Sequence, residues 1–276
     1  MTQILIDGLC FAEGPRWRDN HLWLSDMHAQ HVLKVDKNGH KEVVVNIDDD
    51  QPSGIGWLPS GELLIVSMTK RQVLKYDGKL SVHADLSEHA SYYCNDMVVD
   101  QHGRAYVGNF GFDLHSHEQP KPAELILVQA DGSVSVENNE VMFPNGTIIS
   151  ADGKTLVVGE SYGGCLTAFD VGTNGHLSNK RTWANLPEGA VPDGICLDEE
   201  GGIWCASPTT NECLRIVEGG QVTHSIATDN MAIACILGGN KLYLLTSSST
   251  DPDECKLRQD AKVEVYDAPF AGAGWP

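Results

Sequence analysis

Apolar residues occur along this chain in runs too short for helices, separated by turn residues. Ile195-Cys196-Leu197 ends at Asp198, a polar turn follows at Glu199-Glu200-Gly201-Gly202, and a second apolar run begins at Ile203-Trp204-Cys205-Ala206. The shape recurs at Thr147-Ile148-Ile149, Ala151-Asp152-Gly153-Lys154 and Thr155-Leu156-Val157-Val158. Short apolar runs bounded by Gly and Asp turns predict β-hairpins. Each hairpin is entered through one polar residue and then a small one, Asp193-Gly194 and Asn145-Gly146 in these two copies.

Aligned on that entry position, the chain contains six copies, at Glu13, Ser53, Asn95, Asn145, Asp193 and Met231. They recur every 38 to 50 residues and fill the 276 residues of the chain. A period of about 40–50 residues with four strands per unit predicts propeller blades. The expected fold is therefore all-β: a six-bladed β-propeller with four antiparallel strands per blade, formed by residues 1–276 as a single domain. A blade cannot bury its faces without neighbours, so the ring must close. Repeat six supplies only three strands, at 232–237, 241–246 and 262–266, while residues 3–6 form a surplus strand at the start. Pairing 3–6 with the last blade closes the ring and leaves no open sheet edge. Two segments break the period. Segment 110–124 reads as a lid, because Phe110 and Phe112 at its base have no strand to bury them; segment 247–261 reads equally as a lid or a solvated loop.

Charge and cysteine usage narrow the partners. With 19 basic and 38 acidic residues the formal charge is −19, a field that disfavours nucleic acid and anionic membranes. No stretch is long and apolar enough to span a membrane, and no signal peptide is evident. The eight cysteines show no C-x-x-C spacing, and Cys196, Cys205 and Cys235 sit in apolar strands, where a thiol packs as a small hydrophobe. The expectation is a reduced, cytoplasmic protein acting on a small molecule. The sequence carries no signal for oligomeric state.

The chemistry lies at the entry position. In a radial array, equivalent residues face the axis at one height, so the six entry residues should ring the mouth of the central channel. Glu13, Asn95, Asn145 and Asp193 bear carboxylate or carboxamide oxygens there. Two acids would repel in an empty channel, and a mixed set of oxygen ligands suits one hard divalent cation: calcium above all, with magnesium, manganese and zinc as alternatives. Too few side chains are present for a closed calcium cage, so waters complete the shell and leave places for a substrate oxygen.

The motifs Glu13-Gly14-Pro15-x-Trp17, Asn95-Asp96-x-x-x-Asp100, Pro144-Asn145-Gly146 and Pro192-Asp193-Gly194-x-x-x-Asp198 resemble, in order and over essentially the whole chain, the regucalcin/gluconolactonase (SMP-30/gluconolactonase/LRE-like) family. That resemblance implies a six-bladed propeller and a metal-dependent lactonase. It implies Glu13, Asn145 and Asp193 as metal ligands, Asn95 as a substrate contact and Asp193 as the general base. The chemistry agrees: a metal polarises the carbonyl of a cyclic ester, and an adjacent carboxylate deprotonates the attacking water. No Gly-x-Ser-x-Gly is present to support a serine nucleophile.

The chain departs from sugar-lactone members at one place. They carry an arginine two residues before the Asn-Asp pair, and here Tyr93 stands there, preceded by Tyr92. The connections after the second strands bring Met27, His28, Met68, Phe110, Tyr162 and Pro208 to the same mouth. Apolar walls with a few polar groups favour a less hydroxylated ligand, with Tyr93, Phe110 and Tyr162 as its contacts. Two other functions remain open on sequence: a metal-dependent esterase or phosphotriesterase, and a calcium-binding propeller without activity.

Overall fold

The hairpins pair into six four-stranded antiparallel sheets in a computed structural model, which describes residues 3–114, 116 and 118–273. Blade 1 consists of Ala12–Arg18, His21–Asp26, His31–Val35 and Lys41–Asn46; blade 2 of Pro52–Trp57, Leu63–Ser67, Gln72–Tyr76 and Leu80–Asp85. Blade 3 is Cys94–Val99, Ala105–Asn109, Ala123–Val128 and Val134–Val141; blade 4 is Pro144–Ile149, Thr155–Glu160, Cys165–Val171 and Leu177–Asn185. Blade 5 is Ile195–Leu197, Ile203–Ser207, Glu212–Ile216 and Val222–Ala227. Blade 6 contributes Met231–Gly238, Lys241–Ser247 and Ala261–Asp267, and its outer strand is Gln3–Leu9, paired antiparallel with Ala261–Asp267. The surplus N-terminal strand thus closes the ring as the hydrophobic pattern requires. The six first strands pack side by side around a central channel, blade 6 against blade 1 included.

Local sequence explains the hairpins. Asp19 and Asn20 both adopt left-handed φ, 51° and 59°, the geometry of a two-residue turn whose twist matches its strands. Side-chain carboxylates hold the turns after the inner strands. Asp100 accepts from the backbone N–H groups of His102 and Arg104, and Asp198 from those of Glu200 and Gly202. Both are also paired with a buried arginine, Asp100 with Arg104 and Asp198 with Arg215 at 2.6 Å each. These aspartates end the two Asn/Asp motifs, and they serve the end of the propeller opposite the entry residues.

The core lies between blades. Leu22, Leu24, Leu242 and Leu244 pack between blades 6 and 1; Leu64, Val66, Met97 and Val107 between blades 2 and 3; and Val157, Ile195, Ile203 and Leu214 between blades 4 and 5. Sheet faces packed in this way account for the continuous apolar runs of the second strands. The glycine after the entry position in blades 1, 2, 4 and 5 permits the close approach. A Cβ on Gly194 would fall 2.6 Å from Ala234 Cα, and one on Gly146 would fall 2.4 Å from Ile195 N. Gly194→Ala should therefore destabilise the protein by about 1–3 kcal/mol through overpacking, seen as a lower melting temperature; an unchanged melt would refute the close-contact account.

Register corrects one sequence expectation. Pro52 lies opposite Ser67, Cys94 opposite Asn109 and Pro144 opposite Glu160, with the entry residue next in each case. Blade 6 pairs Ala232 with Thr246 as blade 1 pairs Ala12 with Asp26, and Gly194 N–H donates to Ile233 O as Gly146 N–H donates to Asp193 O, so Ile233 rather than Met231 holds the sixth entry place. Met231-Ala232-Ile233-Ala234 has no polar residue or proline to mark the frame. Segment 247–261 is not a plain solvated loop. It contains a helix, Pro252–Arg258, capped by Asp251, whose carboxylate accepts from the N–H groups of Asp253 and Glu254. The helix rests against the turn Met27–Ala29 and buries Cys255. The lid expected over 110–124 includes positions 115 and 117, which lie outside the described residues. At its base Phe110 and Phe112 are buried. No helix among the described residues is long and apolar enough to cross a membrane.

Candidate active site

Five entry residues meet at the end of the channel where the inner strands begin. Glu13, Ser53, Asn95 and Asn145 are buried, and Asp193 is half-buried. Hydrogen bonds link four of them around the mouth, and the Glu13 carboxylate accepts from Gly14 N–H at 3.0 Å. Ser53 Oγ donates to Asn95 Oδ1 at 3.4 Å, and Asn95 Nδ2 donates to the carbonyl of Pro144, the residue before Asn145, at 3.4 Å. Asn145 bonds to the Asp193 carboxylate and also donates to Ser161 Oγ at 3.2 Å, while Ser161 Oγ donates to Pro192 O at 2.7 Å. Blades 4 and 5 are thereby tied together at the two polar residues that face each other across them.

Negative charge is concentrated here. Burial raises the Glu13 carboxyl well above the carboxylate range, and the Asp193 and Asp96 charges push it further. Burial, then the charge of Asp96, lifts Asp193 to about 8. Asp96 itself is raised by burial and partly restored by Arg16, whose Nη2 lies 3.1 Å from Asp96 Oδ1. Three carboxyls thus share one arginine, and among the described residues Asp193 Oδ1 is a buried oxygen with no hydrogen-bond partner. Both facts suit a cation at this place. Among the described residues no group of three His, Cys, Asp or Glu side chains is arranged to hold a metal. The donor set offered is two carboxylates, the carboxamide of Asn145 and water, and oxygen donors of this kind fit calcium or magnesium better than zinc.

Above the polar ring sits an apolar cluster gathered from several blades: Phe11, Met27, Met68, Phe110, Phe112 and Phe143, with Tyr92, Tyr93 and Met231 against it. Phe110 and Phe143 stack with centroids 4.5 Å apart. Tyr93 is half-buried, stacked on Tyr92 at 4.3 Å and tilted toward Phe110 at 6.5 Å. Tyr162 is 48% exposed and lies edge-on to Phe112 at 5.1 Å. Tyr93, Phe110 and Tyr162 therefore share one aromatic assembly. His28 is buried against Phe11, 5.3 Å between rings.

Phe143 is the member that sequence reading misses. Its backbone is left-handed, φ 58°, a conformation costing an aromatic residue about 1–3 kcal/mol. Three bonds hold it: Met142 N–H donates to Glu160 Oε2 at 2.7 Å, Ser161 N–H to Phe143 O at 3.1 Å, and Tyr162 N–H to Met142 O at 3.2 Å. A signal for it exists. Phe11, Tyr93 and Phe143 each stand two residues before an entry residue, in blades 1, 3 and 4.

Residues 11–249 match the family model described as SMP-30/Gluconolactonase/LRE-like region. Regucalcin of Gallus gallus is 25% identical over 266 residues, covering 92% of this chain and 89% of that protein. Among solved structures, a calcium-binding regucalcin of Agrobacterium tumefaciens superposes with a TM-score of 0.83 at 18% identity, covering 100% of this chain and 96% of that one. A gluconolactonase of Xanthomonas campestris gives 0.79 at 22% identity, covering 97% and 89%. At these identities the structural likenesses speak for the fold alone.

Proposed function

The chain belongs to the SMP-30/gluconolactonase/LRE-like family, and on that premise we propose that it is a metal-dependent hydrolase that opens lactone rings. The observation that carries this reading is the buried, partnerless Oδ1 of Asp193 within a cluster of carboxyls that one arginine does not neutralise. Glu13, Asn145 and Asp193 would hold one divalent cation, calcium before zinc, magnesium or manganese. When bound, that ion supplies positive charge to the lactone carbonyl oxygen and offsets the two carboxylates.

The chain's own groups supply the rest. Asn95 offers its carboxamide to orient the substrate. Asp193, held by Asn145, positions a water against the carbonyl carbon and takes its proton at the carboxylate. Attack forms the new C–O bond, the ring C–O bond breaks, and the proton passes from Asp193 to the departing ring oxygen. The product is an open hydroxy acid.

The aromatic cluster beside the ring supports a substrate less hydroxylated than a sugar lactone. Tyr93, Phe110 and Tyr162, together with Phe143, offer ring faces and only two phenolic hydroxyls where a polyol would require several polar partners. The test is a pH-stat panel with added calcium. Aliphatic and aromatic lactones should show kcat/KM at least about tenfold above sugar lactones, since one or two well-placed apolar contacts are worth roughly that factor. Preference for sugar lactones would keep the enzyme class and remove the aromatic-pocket reading. Turnover of simple esters or phosphotriesters alone would favour that neighbouring activity, and tight calcium binding without any turnover would favour a binding propeller.

A further inference from the structure

Four of the eight cysteines meet just below the ring, and the mechanism uses none of them. Cys196, on the inner strand of blade 5, and Cys235, on that of blade 6, have their sulfurs 3.7 Å apart. Cys213 also bonds to Cys235, and Cys205 lies close enough to feel its charge. All four are buried. The two inner strands run alongside one another here: Gly194 N–H donates to Ile233 O at 2.9 Å, and two residues further on Cys196 faces Cys235. Cys196 also lines a cavity of about 30 Å³ in the channel, together with Arg16, Thr147 and Leu197, enough for roughly two water-sized molecules.

The cluster is joined to the candidate active site through one carbonyl. Cys235 Sγ lies 3.5 Å from the oxygen of Gly194, the residue after Asp193, and 3.4 Å from that of Trp204. Cys165, the one half-buried cysteine, contacts Thr167 instead of another sulfur.

We propose that Cys196 and Cys235 form an oxidative modification site, converted to a disulfide by hydrogen peroxide or another hydroperoxide small enough for the channel cavity. Cys196 Sγ attacks the peroxide oxygen; an S–O bond forms, the O–O bond breaks, and the thiol proton leaves with the other oxygen as water or alcohol. Cys235 Sγ then displaces the oxygen of the sulfenic acid; the S–S bond forms, and hydroxide departs with the Cys235 proton as water. Two thiols lose two electrons, and the peroxide gains them. The sulfurs must close by about 1.7 Å to reach a bond of about 2.05 Å. That draws the inner strands of blades 5 and 6 together and removes the thiol from the Gly194 carbonyl. The consequence is a reversible loss of activity by displacement of Asp193, and this consequence, unlike the cross-link, rests on the lactonase reading.

The experiment treats the full-length protein with hydrogen peroxide, blocks free thiols with iodoacetamide and digests with trypsin. The expected result is loss of two free thiols of eight and a linked pair of fragments, 182–215 with 216–241, cleaved by dithiothreitol. The link should vanish in Cys196→Ser and in Cys235→Ser and persist in Cys205→Ser. Absence of the link in oxidised, still-folded wild-type protein would overturn the proposal, as would a link that survives in Cys196→Ser. The wild-type arm needs no variant to fold and no substrate to be known. In the activity arm, the cross-linked protein should hydrolyse lactones at least tenfold more slowly and recover with dithiothreitol. A cross-linked protein of unchanged turnover would refute the coupling to Asp193 while leaving the modification site in place.

Discussion

Asp193→Asn should lower kcat/KM for lactone hydrolysis by about 10³-fold, within the range that general-base groups supply, while the propeller stays folded. The substitution preserves shape and leaves an amide oxygen for the hydrogen bond from Asn145, so blades 4 and 5 remain tied at the mouth. What it removes is the charge and the proton acceptor. Because Asp193 is assigned both to the cation and to the water, the measurement needs two readouts: calcium affinity by calorimetry, and turnover at a calcium concentration that saturates the variant. Loss of turnover at full occupancy would separate the base from the ligand. Persistent turnover at full occupancy would strip Asp193 of the base role and leave it only as a ligand. Ser53→Ala gives the contrast. Ser53 stands in the same ring, but its hydroxyl donates to Asn95 at the long distance of 3.4 Å, so its loss should change kcat/KM by less than about threefold, the worth of one weak neutral hydrogen bond.

Most of the fold is legible in the chain because each blade repeats a local code: a polar entry residue, a small residue, two apolar runs and a turn of fixed chemistry. Where that code is written in Gly, Pro, Asn and Asp, the strands fall as the pattern predicts. Where it lapses, as at Met231-Ala232-Ile233-Ala234, the alignment slips by two residues, since only the pairing of Ala232 with Thr246 and of Leu237 with Leu242 sets the frame. The helix Pro252–Arg258 was also written locally, as Asp251 at the cap, Pro252 in the first turn and acids behind it; a reading tuned to strands passes over it. The entry ring follows from radial symmetry, but its electrostatics do not. That the charge of Asp96 acts on both Glu13 and Asp193, and that Arg16 reaches it across 80 positions of sequence, depends on how neighbouring blades bring their inner strands together. Phe143 lay within reach of the same repeat logic, through its shared offset with Phe11 and Tyr93, whereas its left-handed backbone is held by Glu160, at the end of the neighbouring strand, and by Ser161 and Tyr162 just beyond it.

Stripping the cation should abolish turnover and also make the protein less stable as pH rises, a reversal of what most carboxylates do. An aspartate in the unfolded chain titrates near 3.9, and in the fold, without metal, burial and Asp96 lift Asp193 to about 8. Between those values the folded chain holds a proton that the unfolded chain has released, so stability falls with pH across that window and levels off above it. Glu13, also raised by burial and by Asp193, acts in the same direction. A full unit of pH is worth about 1.4 kcal/mol per group; discounted for the solvent that reaches half-buried Asp193, the loss between pH 6 and pH 8 should be about 1–2 kcal/mol. For a chain of this size that is a fall in Tm of roughly 2–6 °C. Saturating calcium should raise Tm and flatten the slope, because the ion takes the place of the proton on the carboxylates. Differential scanning calorimetry of chelator-treated protein at pH 6, 7 and 8, with and without calcium, decides the matter. A metal-free Tm that holds steady or rises over this range would mean that Glu13 and Asp193 are already ionised without a cation, with Arg16 sufficient to balance them, and the strongest reason for placing an ion at the mouth of the channel would be gone.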